Sequence, residues 1–340
     1  MANTAGIPGL ELFSTTPQSK DVPRDEYLKT VVERAKWADE LGYGGTLVYT
    51  DNGIVDPWLV SQVVIESTNQ LTPLVAVQPA YMHPYTVAKM ISTYAYLHGR
   101  QVCLNMLAGG FTHDLEALHA HAPHDERYLR CQEYTQIIID LCKGDRAVTF
   151  AGDYFSVTNL RLTPEVPAEL QPRIFVSGSS EQGMATAQAL DAVAVRYPRP
   201  ADTEDVGTPG RSSVRIGIVA RDTPEAAWEY ANEKFPPDRK GELTHQVAMK
   251  VSDSSWHQKL SERDESWDVD GTFWLHPFQT YRTFCPYLVG SYEQVGQSLA
   301  AYMDRGYLVF ILDIPESREE MEHTAKAYEH AKNYLQTPVG

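Results

Sequence analysis

Short runs rich in Val, Ile and Leu alternate with longer segments of helical period along the chain. The runs are Gly9–Ser14, Gly45–Thr50, Pro73–Gln78, Gln101–Leu107, Arg173–Ser177, Ala192–Tyr197, Val214–Ala220 and Leu308–Asp313. Continuous apolar stretches of this length suit strands buried on both faces, as in a parallel sheet. Between them, Arg24–Leu41 places Tyr27, Val31, Ala35 and Ala38 on one stripe and stops at Gly42. The other predicted helices are Asp56–Thr68, Tyr85–Leu97, His124–Cys142, Glu181–Leu190, Thr223–Phe235, Ser291–Arg305 and Ser317–Leu335. Asp222-Thr223-Pro224-Glu225 and Ser317-Arg318-Glu319-Glu320 each set a capping side chain beside first-turn acids, and Gly306 stops the penultimate helix.

Eight strands interspersed with eight helices predict an α/β fold of the (β/α)8 TIM barrel type, with a doubly wound open sheet as the alternative. A chain of 340 residues suits such a barrel as one domain over 1–340. Two stretches interrupt the alternation. Residues 144–172 read as a Pro-rich excursion with a short hairpin at Ala147–Val157. Residues 236–285 are polar and charged but carry Trp267, Phe273, Trp274 and Phe278, which predicts a lid-like insertion able to close on something apolar.

Charge narrows the partners. Lys plus Arg number 29 against 45 Asp plus Glu, a formal charge of −16, which argues against nucleic acid and anionic membrane surfaces. A phosphate site would have to be built locally from backbone dipoles and placed cations. The 4 cysteines (Cys103, Cys131, Cys142, Cys285) form no CxxC pair, and Cys103 sits in an apolar run as a buried thiol would. Met1–Ser14 has no basic region, and no run approaches the roughly 18 apolar residues of a membrane helix, so a cytoplasmic location is the expectation.

The strand ends supply the candidate chemistry, because barrel active sites are assembled there. They lack the paired acids of a glycosidase and the lysine of a Schiff-base aldolase. Ser177-Gly178-Ser179-Ser180-Glu181-Gln182-Gly183 joins a strand to a helix. Glycine permits close backbone approach, the serines donate, and a helix N-terminus offers oriented N–H groups; the turn therefore suits a phosphate or is a plain Ser-capped turn. Asn105-Met106-Leu107-Ala108-Gly109-Gly110 puts an amide at an apolar strand end before two glycines, which suits a flat ring or a structural turn. His113, His119, His121 and His124 invite a metal reading, but their spacing matches no zinc pattern; His124-Asp125-Glu126-Arg127-Tyr128 reads instead as a helix start with Tyr128 one turn in. His83-Pro84 reads as another helix start.

The order of these motifs resembles the luciferase-like flavin monooxygenases, in the branch of alkanesulfonate monooxygenase. The resemblance rests on Asp56-Pro57-Trp58, Asn105–Gly110, His124–Tyr128 and Gly178-Ser179-Ser180, and runs from about Leu10 to Tyr328. It implies a homodimeric or homotetrameric barrel that receives reduced FMN from a separate flavin reductase, uses molecular oxygen, and oxidises a small organic substrate through a C4a-(hydro)peroxyflavin. The resemblance places the ring near Gln78, Asn105, Ala108 and Gly109, and the phosphate at Tyr128, Gly178, Ser179 and Ser180.

The departures lie on the substrate side. The branch has an Arg-x-His pair where this chain has Arg215-Ile216-Gly217, a cysteine where it has Ile54, and Thr where it has Ala108. A Tyr-Pro-His after the last strand becomes Ile314-Pro315-Glu316, and Tyr281-Arg282 only approximates a lid arginine. Sulfonate is thus a doubtful substrate. Arg215, Tyr197, His276 and Arg282 are the candidate catalytic residues, with Arg196 and Tyr281 beside them. A deazaflavin (F420)-dependent oxidoreductase and a non-catalytic flavin-binding barrel are the competing readings.

Overall fold

The computed structural model describes residues 7–109, 112–243 and 271–336. In chain order the elements begin β1 (Glu11–Thr15), α1 (Arg24–Glu40), β2 (Gly45–Val48), α2 (Pro57–Ser67), β3 (Thr72–Val77), α3 (Pro84–His98) and β4 (Cys103–Leu107). They continue with α4 (Thr112–Ala117), α5 (His124–Lys143), β5 (Val148–Ala151), β6 (Ser156–Leu160), β7 (Ile174–Ser177), α6 (Glu181–Ala189) and β8 (Val193–Arg196). The last are β9 (Ser212–Arg221), α7 (Pro224–Lys234), β10 (Phe273–Trp274), α8 (His276–Gln279), β11 (Tyr287–Ser291), α9 (Tyr292–Asp304), β12 (Val309–Leu312) and α10 (Arg318–Gln336).

All eight predicted strands form. Their order is β9-β12-β1-β2-β3-β4-β7-β8, with β8 pairing back to β9, which is the order of a (β/α)8 barrel and not of an open doubly wound sheet. The chain packs as two compact units, one of residues 16–35 and 45–194, the other of residues 1–15, 36–44 and 195–340.

In the first unit β2, β3, β4 and β7 run parallel, with Val48 opposite Val75, Ala76 opposite Asn105, and Leu107 opposite Ser177. Val75, Leu104, Ile91, Val87, Ile137 and Ile138 bury the sheet under α3 and α5. The expected hairpin is present as β5 and β6, a few residues longer than the sequence suggested. Its tip is held from α5: the Glu133 carboxylate accepts the backbone N–H groups of Asp153, Tyr154 and Phe155 at 2.8–3.1 Å.

In the second unit β9 is long enough to pair twice. Ser213–Ile216 lies beside β12, and Gly217–Arg221 lies beside β11. The sequence pattern does not reveal β11, and β10 pairs antiparallel to it. Trp274 packs edge-on against Trp228 and Phe235, with ring centroids at 5.3 and 6.0 Å. Phe278 is buried beside Tyr197 and Leu275. These aromatics of the 236–285 segment are therefore packed side chains, while Trp267 lies outside the described residues. The predicted caps form: Thr223 accepts the Ala226 N–H, and Ser317 accepts that of Glu320. Gly306 takes the expected left-handed turn, φ 92°. Among the described residues no helix is long and apolar enough to cross a membrane.

Candidate active site

The ends of β4 and β7 meet through a side-chain bond. Ser177 Oγ donates to Asn105 Oδ1 at 2.8 Å, which satisfies an amide buried in an apolar strand. The chain then turns at Gly178, whose φ is 149°; a Cβ there would lie 2.0 Å from the Tyr128 hydroxyl oxygen. Tyr128, from the second turn of α5, donates to the Ser177 carbonyl at 3.1 Å. Only glycine lets the turn pass so close to that ring.

The next two residues differ in what they bind. Ser180 is the N-cap of α6 and accepts the Gly183 N–H at 3.1 Å. Ser179 Oγ is buried and has no hydrogen-bond partner among the described residues. An orphaned hydroxyl one residue before a helix N-terminus is a donor waiting for an acceptor, and an anion is the acceptor such a terminus favours.

The β4 turn is fixed from the same helix. Ala108 is buried, Gly109 has φ 95°, and its carbonyl accepts Arg127 Nε at 3.1 Å. Arg127 also donates to the Ala122 carbonyl at 2.7 Å. Gly110 lies outside the described residues. The His124–Tyr128 motif therefore acts through Arg127 and Tyr128, which tie α5 to both strand-end turns. The His124 ring sits 5.1 Å from that of Tyr128 and pairs with Asp125 at 2.7 Å. No group of three or more His, Cys, Asp or Glu among the described residues could hold a metal.

A cavity of about 270 Å³ opens at the ends of β2 and β3, lined by Asp51, Ile54, Trp58, Val77, Gln78 and Tyr81 among others. Gln78 is 8% exposed, and its Nε2 has no partner among the described residues. Tyr81 donates to Asn52 Oδ1 at 2.8 Å. Burial first, then the charges of Asp114 and Asp51, push its phenol up to about 12. Asp56 also lines this cavity, and its Oδ1 caps α2 by accepting the Trp58 and Leu59 N–H groups.

The second unit holds the four residues expected to handle substrate. The Arg215 guanidinium lies 6.0 Å from the centre of the Tyr197 ring and 3.9 Å from Asp313 Oδ1. His276 stacks on Trp274 at 5.3 Å. Arg282 is 51% exposed and pairs with Asp238 at 2.8 Å. Arg196 joins an ion-pair network with Glu204 and Asp205, both at 3.3 Å. The structure thus brings Arg215 and Tyr197 together and engages the other candidates elsewhere. Sequence reasoning missed the cluster around Arg215. Asp313 Oδ2 accepts Thr283 Oγ1 at 2.5 Å and the Tyr287 hydroxyl at 2.8 Å, and Cys285 is buried beside them. Asp313 ended a predicted strand and could have been found; Tyr287 stands on the strand that gave no signal.

The barrel carries an orphaned donor and a glycine turn before its α6 N-terminus, and comparison with known proteins gives it a family. Residues 10–206 match the model of the luciferase-like monooxygenases. The chain belongs to that family, whose members are enzymes. It is 35% identical, over 91% of its length and 93% of the relative's, to the 4-(gamma-L-glutamylamino)butanoyl-[BtrI acyl-carrier protein] monooxygenase BtrO of Niallia circulans. In fold it is similar to the long-chain alkane monooxygenase LadA (TM-score 0.72, 15% identity, 97% of this chain and 92% of that one). It is also similar to the oxygenating constituent of 3,6-diketocamphane monooxygenase of Pseudomonas putida, solved with FMN (TM-score 0.65, 14% identity, 94% and 96%).

Proposed function

We propose that this chain is the oxygenase of a two-component system that uses reduced FMN from a separate reductase to insert oxygen into a small organic acyl substrate. The observation that carries this reading is the buried, partnerless Ser179 hydroxyl beside the Gly178 turn and the α6 N-terminus. That set of donors fits a phosphate. Gln78, with its orphaned Nε2, fits a ring carbonyl, and the backbone at Ala108 and Gly109 fits a flat ring.

Bound reduced flavin supplies electrons to molecular oxygen, one oxygen atom entering the substrate and the other leaving as water. The protein's own residues bind and orient. Ser179 and Ser180 would hold the phosphate end, while Tyr128, whose proton goes to the Ser177 carbonyl, braces the turn beneath it; Gln78 and Asn105 would fix the ring edge, and Ile54, Trp58 and Val77 would keep water from the cavity near it. Arg215 and Tyr197 orient the substrate. The relative's substrate is an acyl chain on a carrier protein, which supports an acyl substrate here, used in secondary metabolism by a homo-oligomeric, cytoplasmic enzyme.

The test is turnover with reductase, NADH, FMN and isotopically labelled oxygen across a panel of acyl thioesters. One labelled atom in the product, with peroxide release falling when substrate is added, is the expected result. Anaerobic product with deazaflavin would transfer the site to the hydride-transfer reading. Unchanged peroxide release across the whole panel would favour a non-catalytic barrel.

A further inference from the structure

Gly217 sits between two strands that carry polar side chains. Tyr287 of β11 is its register partner on one side. On the other side Leu312 of β12 pairs with Ile216, whose carbonyl accepts the Asp313 N–H at 3.2 Å. The Tyr287 ring lies across Gly217: a Cβ at 217 would fall 2.3 Å from two of its carbons. A side chain at this position is therefore excluded, and the tyrosine reaches over β9 through the space that glycine leaves.

Its hydroxyl ends at Asp313. There Oδ2 accepts Tyr287 at 2.8 Å and Thr283 at 2.5 Å, while Oδ1 lies 3.9 Å from Arg215 Nη2. The side chains of Arg215 and Asp313 are 7% and 12% exposed, so water screens neither charge well. Two hydroxyl donors on one oxygen fix the carboxylate's orientation. Burial, then the Asp313 charge, hold the Tyr287 phenol well above its ordinary range, which makes it a donor and not a base near neutral pH.

We propose that Tyr287 and Thr283 hold Asp313 as a built-in counter-ion to Arg215, so that this arm of the site takes a neutral carbonyl, as in an amide or thioester, in preference to a sulfonate or carboxylate. The proposal rests on the reading that Arg215 touches substrate. A guanidinium whose charge is already compensated still donates N–H groups to a carbonyl oxygen. A second anion would meet the repulsion of Asp313 in a place where that repulsion is poorly screened. Tyr287, Thr283 and Asp313 are positioning residues, acting through Arg215.

The experiment measures binding of 1-butanesulfonate by calorimetry, without flavin and without turnover, so that its result is independent of the oxygenase reading. Asp313→Asn keeps an acceptor for Tyr287 and Thr283 but removes the charge. It should bind the sulfonate at least about tenfold more tightly than wild type. Adding Arg215→Gln should abolish that gain, and Tyr287→Phe alone should give a smaller gain of about threefold. Equal affinity of wild type and Asp313→Asn, or a gain that survives Arg215→Gln, overturns the proposal. If Asp313→Asn does not fold, Tyr287→Phe decides: sulfonate affinity unchanged from wild type overturns it.

Discussion

Ser179 is the residue at which structure and function separate most cleanly. Its Oγ is buried without a partner among the described residues, so Ser179→Ala removes an unsatisfied group and should leave the unliganded protein's stability within about 0.5 kcal/mol of wild type. If the hydroxyl donates to the FMN phosphate, the same change should weaken FMN about tenfold, near 1.4 kcal/mol, measured by flavin fluorescence quenching. Gly178→Ala should behave differently. Its Cβ would strike the Tyr128 hydroxyl, and alanine is strained at φ 149°, so a loss of about 2 kcal/mol or more is expected in chemical denaturation, with FMN binding lost as well. The turn itself was legible in the sequence because glycine and serine between a strand and a helix mark a capped turn, and Ser180 caps α6. Tyr287 was not legible. Its position depends on a glycine on another strand and an aspartate on a third, and no local pattern encodes that convergence.

At the scale of elements, the sequence is most readable where local chemistry and tertiary packing agree. Thr223 and Ser317 cap the helices they were expected to cap, and the eight buried strands follow their apolar runs. Thr223→Ala should cost about 1 kcal/mol, read as a lower denaturation midpoint, because the Ala226 N–H loses its acceptor. Strand β11 escaped because it follows a polar stretch and runs directly into the Ser291 capping box of α9, so its five residues read as a helix approach. Short α4 escaped for a related reason: a six-residue helix has too little periodicity to stand out. The 148–160 hairpin was legible as a pair of strands, but not the carboxylate that holds its tip. Glu133→Ala should speed amide exchange at Asp153, Tyr154 and Phe155 while leaving protection in β3 and β4 unchanged.

For the whole molecule, the acidic charge and the buried thiols make two separate statements. A chain of −16 gives an anion no long-range attraction, so the phosphate site proposed at the Gly178–Ser180 turn rests on local backbone and hydroxyl donors. All 4 cysteines are buried, and burial pushes the Cys131 and Cys142 thiols up to about 12. Native protein at pH 8 should therefore resist thiol reagents, with all four groups reacting once it is unfolded; fast labelling of the native state would show that the described core opens readily. The fold class was legible across the whole chain because alternating buried strands and helices leave few architectures. The substrate arm was not, since Arg215 alone could not reveal that Asp313 already stands opposite it.

The proposed function depends on one ligand group at one turn, and comparing FMN with riboflavin isolates that group. Wild type should bind FMN at least about tenfold more tightly than riboflavin, and a Ser179→Ala, Ser180→Ala double variant should lose most of that preference, keeping only what the α6 N-terminal backbone supplies. Equal affinity of the wild-type protein for both flavins would contradict it.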